Sequence, residues 1–244
     1  MLELIEILFV LLIGASIGSF ANVIILRVPK GESIITPPSS CGECGSRIAF
    51  YHNIPIVSFL FLRGKSSCCK KPISTIYPIG EVVVAFVFLS IYLKLGFSAD
   101  FVRIATVFSG LYVLSVIDIR ELMIPDTISL PLSIIAIDSI DLDVLSSFLI
   151  VAGAGTMFRF YLSAILNKEA MGEGDIIIFA ILGALLGIKL SLVAIFIASV
   201  IALPLFLFLG RDAKVPFVPF LALGGFVSYL FNEEILTILR GLYV

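Results

Sequence analysis

Apolar runs long enough to cross a lipid bilayer follow one another along most of this chain, and such runs leave little choice of fold. About 20 apolar residues span the hydrocarbon core, where every backbone N–H and C=O must bond within the protein, as a helix does by itself. Runs of this kind lie at roughly 4 to 26, 78 to 95, 101 to 117, 142 to 166, 189 to 210 and 217 to 236. Two shorter runs, about 122 to 137 and 175 to 188, are interrupted by Pro125 and Pro131 and by Gly183 and Gly187. Such interruptions are expected of helices packed by neighbours or beside a water-filled cavity. The expectation is an all-α polytopic membrane protein with about eight transmembrane helices. Composition agrees: 60% of residues are hydrophobic, only 14% are charged, and mean hydropathy is +1.18, far outside the soluble globular range. The lipid bilayer is the expected surroundings, and no nucleic acid is expected as a partner.

The first run carries Glu3 and Glu6 at its leading end, with no basic residue there and no small-residue cleavage site behind, so it reads as a retained span. Residues 27 to 77 hold Arg27, Lys30, Arg47, Arg63, Lys65, Lys70 and Lys71 against Glu32 and Glu43. The positive-inside rule makes this loop cytoplasmic. Eight alternating spans then put Arg120, Lys168, Arg211 and Lys214 on the same side, and Lys94, Arg103, Lys189, Asp138, Asp141 and Asp143 on the other, with both termini outside.

The basic loop contains all four cysteines. Cys41-Gly-Glu-Cys44 has the spacing of a zinc knuckle, and Cys68-Cys69 could close a four-ligand site. A cytosolic setting favours metal over disulfide. The rival reading is four free thiols, because adjacent cysteines strain tetrahedral coordination. His52, the single histidine, could replace a weak ligand or simply be solvated.

Two acids stand at the edges of apolar runs, Asp118 at the end of one and Asp175 at the start of another, within Gly172-Glu173-Gly174-Asp175. An ionisable group bordering a bilayer is costly unless it is paired or faces water, so both are functional candidates. Amide hydrolysis needs a base to take a proton from water and an acid to protonate the leaving group, and two carboxyls sharing one proton supply both. Asp118 and Asp175 are therefore the expected dyad. The glycines around Asp175 fit a tight turn or close helix packing.

The motifs together resemble the type IV prepilin peptidases of bacteria across nearly the whole chain. Gly14-Ala-Ser-Ile-Gly18-Ser19-Phe20-Ala-Asn22-Val23 with Arg27-Val-Pro29 resembles that family's opening motif. Cys41-x-x-Cys44, Asn53-Ile-Pro55, Arg63-Gly64-Lys65, Pro72-Ile73-Ser74 and Tyr77-Pro78 before Glu81 follow in the family's order. Asp118-Ile-Arg120 with Ile124-Pro125-Asp126, then Met171-Gly172-Glu173-Gly174-Asp175, resemble the two catalytic stretches, and Pro216-Phe217-Val218-Pro219 a late motif. Three positions depart from the pattern. Ser66 stands where the family has a cysteine after the Arg-Gly-Lys triplet, Ile177 where it has a lysine, and Val218 where it has a glycine. Cys68 is the candidate replacement for the missing ligand.

The resemblance implies a GxGD-type membrane aspartic endopeptidase in the bacterial cytoplasmic (inner) membrane. Its substrates would be prepilins and pseudopilins, whose basic leader is cut on the cytoplasmic side. It also implies N-methylation of the new terminus from S-adenosylmethionine, with peptidase activity alone as the alternative. The expected organisation is a first helix over 1–26, a cytoplasmic loop with a structural zinc site on Cys41, Cys44, Cys68 and Cys69 over 27–77, and a membrane peptidase domain over 78–244. Asp126 reads as a second cavity acid or a helix cap, and Glu81 as a partner for a substrate amine or for Arg27 or Arg63. Gly14 and Gly18 share a helix face suited to close contact. Arg159 pairs with an acid or reaches the interface. A cation-coupled transporter would need inverted repeats, and no convincing repeat is found. A noncatalytic scaffold would not need both acids.

Overall fold

The structure, a computed structural model, describes residues 2–138, 141–169, 171–209 and 215–241, so Arg211 and Lys214 lie outside the described residues. The chain divides into two compact units, Met1–Gly96 and Phe97–Val244.

In the first unit, α1 (Leu2–Arg27) is followed by the loop with its short α2 (Val57–Phe61), and then by α3 (Ile76–Leu95). Helices α1 and α3 pack at very short range because two glycines permit it. A Cβ on Gly14 would lie 2.7 Å from the Ala85 Cα, and one on Gly18 would lie 2.7 Å from the Glu81 Cα. Lipid tails are as apolar as leucine, so this close packing, more than transfer out of water, holds membrane helices together. The Asn22 amide adds a hydrogen bond to the Tyr77 carbonyl, 3.1 Å away. Where α1 ends, the Arg27 guanidinium donates to the carbonyls of Ser33 and Pro37 at 2.9 and 2.8 Å, folding the loop back towards the helix end.

The second unit is built on α4 (Ala99–Glu121), whose first turn is capped by the Ser98 hydroxyl accepting from the Phe101 N–H. One face of α4 is buried at helical spacing: Ile104, Phe108, Leu111, Ser115 and Asp118. Asp118 is thus the last member of a core stripe, and the helix runs on to Glu121 before ending at Leu122 in the left-handed conformation, φ 53°. Around α4 stand α5 (Asp126–Ala136), α6 (Leu142–Leu166), α7 (Glu173–Leu209), α8 (Val218–Leu230) and α9 (Asn232–Gly241). Helix α7 is broken at Gly187, whose φ of 71° and ψ of 171° lie outside the helical region. The Ser191 hydroxyl donates to the Leu182 carbonyl at 2.8 Å, although a straight helix would hold those residues about 13 Å apart along its axis. The chain turns back here, so the two expected runs, 175 to 188 and 189 to 210, are the two limbs of α7.

No strand occurs among the described residues, and the chain is an all-α polytopic membrane protein. Five helices are long and apolar enough to cross a bilayer, or six if α8 and α9 count as one bent span. The expected eight counts the α7 limbs separately and includes α5, whose 11 residues reach only about 16 Å. The run at 217 to 236 is not one straight helix, because α8 and α9 meet at 82°. The bend falls before Asn232, Glu233 and Glu234, polar residues costly to carry into hydrocarbon.

Candidate functional site

Both candidate acids are buried, each 7% exposed, and both meet the N-terminal end of a helix. The Asp118 carboxylate accepts from the Val218 N–H at 3.1 Å and also from the Phe217 N–H, where α8 begins. These are N–H groups that a helix cannot satisfy by itself. Asp175 sits in the first turn of α7 and reaches back to accept from the Gly172 N–H at 3.2 Å, half of a capping box. It begins a buried stripe with Ile178, Phe179 and Leu182, which aims its side chain into the unit as the α4 stripe aims Asp118. Asp118 is close enough for its charge to act on Asp175. Helix N-termini favour negative charge, while burial and a neighbouring acid oppose a second one. A pair of carboxyls so held can keep one proton and pass it.

Neighbouring residues fix the turn that carries Asp175. In α6, Arg159 donates from Nε to the Met171 carbonyl at 3.0 Å and pairs with Glu173 at 3.1 Å, so of its two expected roles it takes the pairing one. Gly174 is required by packing: a Cβ there would stand 2.7 Å from the Ile124 Cβ. Asp126 is exposed in the first turn of α5, where an acid complements the helix dipole. The two amides that hold Asp118 escaped the reading of the sequence. Their only signal was the Pro216-Phe217-Val218-Pro219 motif, with its proline in the first helical turn.

In the first unit, the sulfurs of Cys41, Cys44, Cys68 and Cys69 all lie within 4.8 Å of one another and could hold one metal ion. A tetrahedral ion with metal–sulfur bonds of about 2.3 Å separates its sulfurs by about 3.8 Å. The Cys41 and Cys69 sulfurs are 3.8 Å apart, and those of Cys44 and Cys68 are 3.1 Å apart. Two similar turns supply these ligands. In one, Gly45 N–H bonds the Cys41 carbonyl, Cys41 N–H bonds the Ser46 carbonyl, and an antiparallel bridge joins Ser40 to Arg47. In the other, Lys70 N–H bonds the Ser66 carbonyl, Ser66 N–H bonds the Lys71 carbonyl, and the bridge joins Lys65 to Pro72. Gly45 and Lys70 occupy equivalent left-handed positions, φ 70° and 61°. Ser66 is therefore the counterpart of Cys41, and Cys69 of Cys44. Cys68 brings the fourth sulfur from a position two residues past the expected one. The Ser66 hydroxyl still touches the cluster, 3.4 Å from the Cys41 sulfur and 2.9 Å from that of Cys68.

The Ser66 hydroxyl, followed by the backbone N–H groups of Cys44 and Glu43, lowers the Cys41 thiol to about 6. The Ser46 hydroxyl, and then Cys68, lower the Cys44 thiol. Cys68 goes the other way, to about 11: the Ser66 hydroxyl lowers it, but Cys44, burial, Cys41 and Cys69 together outweigh that. Thiolates are the form that binds metal, so this thiol would give up its proton on binding. His52 lies outside this group, its ring against Tyr51. Glu81 is buried in α3 and accepts from the Ile56 N–H at 2.6 Å and from the Ser19 hydroxyl; neither Arg27 nor Arg63 is its ion-pair partner among the described residues.

Fold and site together define a polytopic membrane protein with a buried acid pair in one unit and a four-thiol cluster in the other. The family model described as Bacterial Peptidase A24 N-terminal domain matches residues 12–95, and that described as Type IV leader peptidase family matches residues 105–207. The chain is 35% identical to the prepilin leader peptidase/N-methyltransferase of Bacillus subtilis, over 96% of this chain and 97% of that one. It is 30% identical to the protein of that name from Xanthomonas campestris pv. campestris, over 91% and 90% of the two chains. The Pseudomonas aeruginosa protein of that name is 29% identical over 94% and 91%. No solved structure matches the chain. The chain belongs to the type IV leader peptidase family.

Proposed function

We propose that this chain cuts the leader from type IV prepilins and pseudopilins with Asp118 and Asp175, and then methylates the new amino terminus. The observation that carries the cleavage step is the pair of buried carboxyls, each held by backbone N–H groups at a helix start. One carboxylate takes a proton from water as the water attacks the scissile carbonyl. The other carboxyl, protonated, supports the carbonyl oxygen and then donates to the leaving amine. The fixed N–H groups hold both oxygens in position, so little reorganisation is needed during proton transfer. The titration belongs to the pair, and neither acid is assigned as the base.

The setting is the bacterial cytoplasmic membrane, with the basic loop and the dyad towards the cytoplasm, where a basic leader emerges from an apolar helix. Cys41, Cys44, Cys68 and Cys69 would hold a structural zinc ion, since a four-sulfur site leaves no open coordination position. S-adenosylmethionine is the methyl donor. Purified protein incubated with a prepilin, with and without this donor, tests the reading by product mass. The expected result is loss of the leader in both reactions and a further gain of about 14 Da, one methyl group, only with the donor. An uncut precursor would overturn the reading.

A further inference from the structure

The end of the second unit away from the acid pair closes in a layer of polar groups. Arg103, in the second turn of α4, donates to the Ala136 carbonyl at 2.8 Å, where α5 ends, and pairs with the exposed Asp100 and Asp138 at 3.0 and 3.3 Å. Tyr229, in the last turn of α8, is close enough for the charges of Asp100 and Arg103 to act on it, and its ring lies 5.6 Å from that of Phe108 in α4. Charged groups are costly within hydrocarbon, and tyrosine favours the boundary between hydrocarbon and water. The layer therefore marks where α4, α5 and α8 leave the bilayer.

Helix α9 starts next to this layer and turns by 82° from α8, so its axis runs along the membrane surface and not through it. Its sequence suits that course. Ile235, Leu236, Ile238 and Leu239 fall in one arc of the helix, and Glu233, Glu234, Thr237 and Arg240 fall in the other. Its 10 residues reach only about 15 Å, half of a hydrocarbon core. Ile235, Leu236 and Leu239 are half-buried, and α9 touches α7 and α8. Ile238 is 65% exposed and Phe231, at the corner, 52%. These two stand together at the side of the helix, between its protein-facing and polar arcs.

We propose that α9 is an interfacial helix, lying flat in the bilayer surface opposite the acid pair, with Phe231 and Ile238 among the lipid chains just below the headgroups and Glu234 and Thr237 towards water. The partner is the bilayer boundary itself. Arg240 is the single base of α9 against Glu233 and Glu234, so no attraction for anionic headgroups is built in, and the apolar side chains do the binding. The lipid-facing surface of the membrane helices continues onto Phe231 and Ile238 without a polar gap. A consequence reaches the acid pair. Helix α8 rises about 18 Å from Val218 to Leu230, so an α9 held at one depth also sets the depth of the Phe217 and Val218 N–H groups that bond Asp118.

The chain contains no tryptophan, so a single introduced one reports its own depth. The test uses Phe231→Trp, Ile238→Trp and Thr237→Trp in the full chain, reconstituted in phosphatidylcholine nanodiscs. It measures fluorescence quenching by phospholipids brominated near the headgroup, by phospholipids brominated near the chain ends, and by iodide in the water. Phe231→Trp and Ile238→Trp should be quenched about twofold more by the shallow bromines than by the deep ones, and Thr237→Trp about twofold more by iodide than either. If Ile238→Trp lowers the thermal midpoint, Phe231→Trp, the conservative change on the same side, decides. Strongest quenching of these two by the deep bromines would make α9 part of a span and overturn the proposal. Iodide quenching as strong as at Thr237→Trp would place the helix in water and overturn it too. So would shielding from all three quenchers, the result expected if a second copy of the chain covers this side.

Discussion

The Asp118 carboxylate and the Val218 N–H, 100 residues apart in sequence, meet at 3.1 Å inside the second unit. The bond joins α4 to the start of α8, so Asp118 has a structural role beside the chemical one proposed for it. Asp118→Asn keeps an acceptor oxygen for that N–H, whereas Asp118→Ala leaves a buried donor unsatisfied, at a cost of about 1–3 kcal/mol. Thermal unfolding in detergent should therefore place the alanine variant clearly below the asparagine variant. Equal midpoints would show that the bond does not support the fold.

Gly174 faces Ile124 with no room for a methyl group, since a Cβ at this position would fall 2.6 Å from the Ile124 Cδ1. Gly174→Ala should overpack this contact by about 1–3 kcal/mol and shift the turn carrying Asp175, lowering cleavage at least tenfold. Ile124→Ala in the same chain should restore part of the activity. An active Gly174→Ala single variant would show that the turn tolerates displacement.

The thiol cluster makes an exchangeable prediction. Cys68→Ser should lose most of the roughly one zinc ion per chain expected of a four-thiolate site. Adding Ser66→Cys should restore it, because position 66 is the counterpart of Cys41 in the second turn. Metal analysis of protein purified without chelators reads both results. Zinc retained by Cys68→Ser would exclude Cys68 from the ligand set.

Cleavage and methylation should separate. Asp118→Asn should methylate a precut peptide at near the wild-type rate and leave an uncut precursor unmethylated, because the acceptor amine is free only after cleavage. A variant that has lost both reactions while still folded would contradict separate sites.

How much of this was legible in the sequence differs by residue. The long apolar helices and the two buried acids were legible because apolar length and the rarity of charge near a bilayer are one-dimensional signals. Gly187 read as an interruption within the run 175 to 188, and the break falls there, yet the return of the chain shows only in the Ser191–Leu182 bond. The bend at 82° was marked by Asn232, Glu233 and Glu234, through which the run of 217 to 236 was drawn, whereas the brevity of α5 was hidden because apolar residues already precede Asp126. Ser66 read as the position of a missing ligand with Cys68 as its substitute, and the four sulfurs agree, but linear spacing did not report that Ser66 and Cys41 occupy equivalent places in two folded turns. The contact of Asp118 with Val218 had no signal but the Pro216-Phe217-Val218-Pro219 motif, which does not tell which residue it meets.

The most direct test of the central claim is the mass of a prepilin after incubation with wild type, Asp118→Asn, Asp175→Asn and Asp126→Asn, each first shown to be folded in detergent. Wild type and Asp126→Asn should release the leader. The two dyad variants should leave the precursor intact, with rates down by about a thousandfold or more, the scale expected when a proton-transfer partner is removed. Substantial cleavage by folded Asp118→Asn or Asp175→Asn would contradict the account.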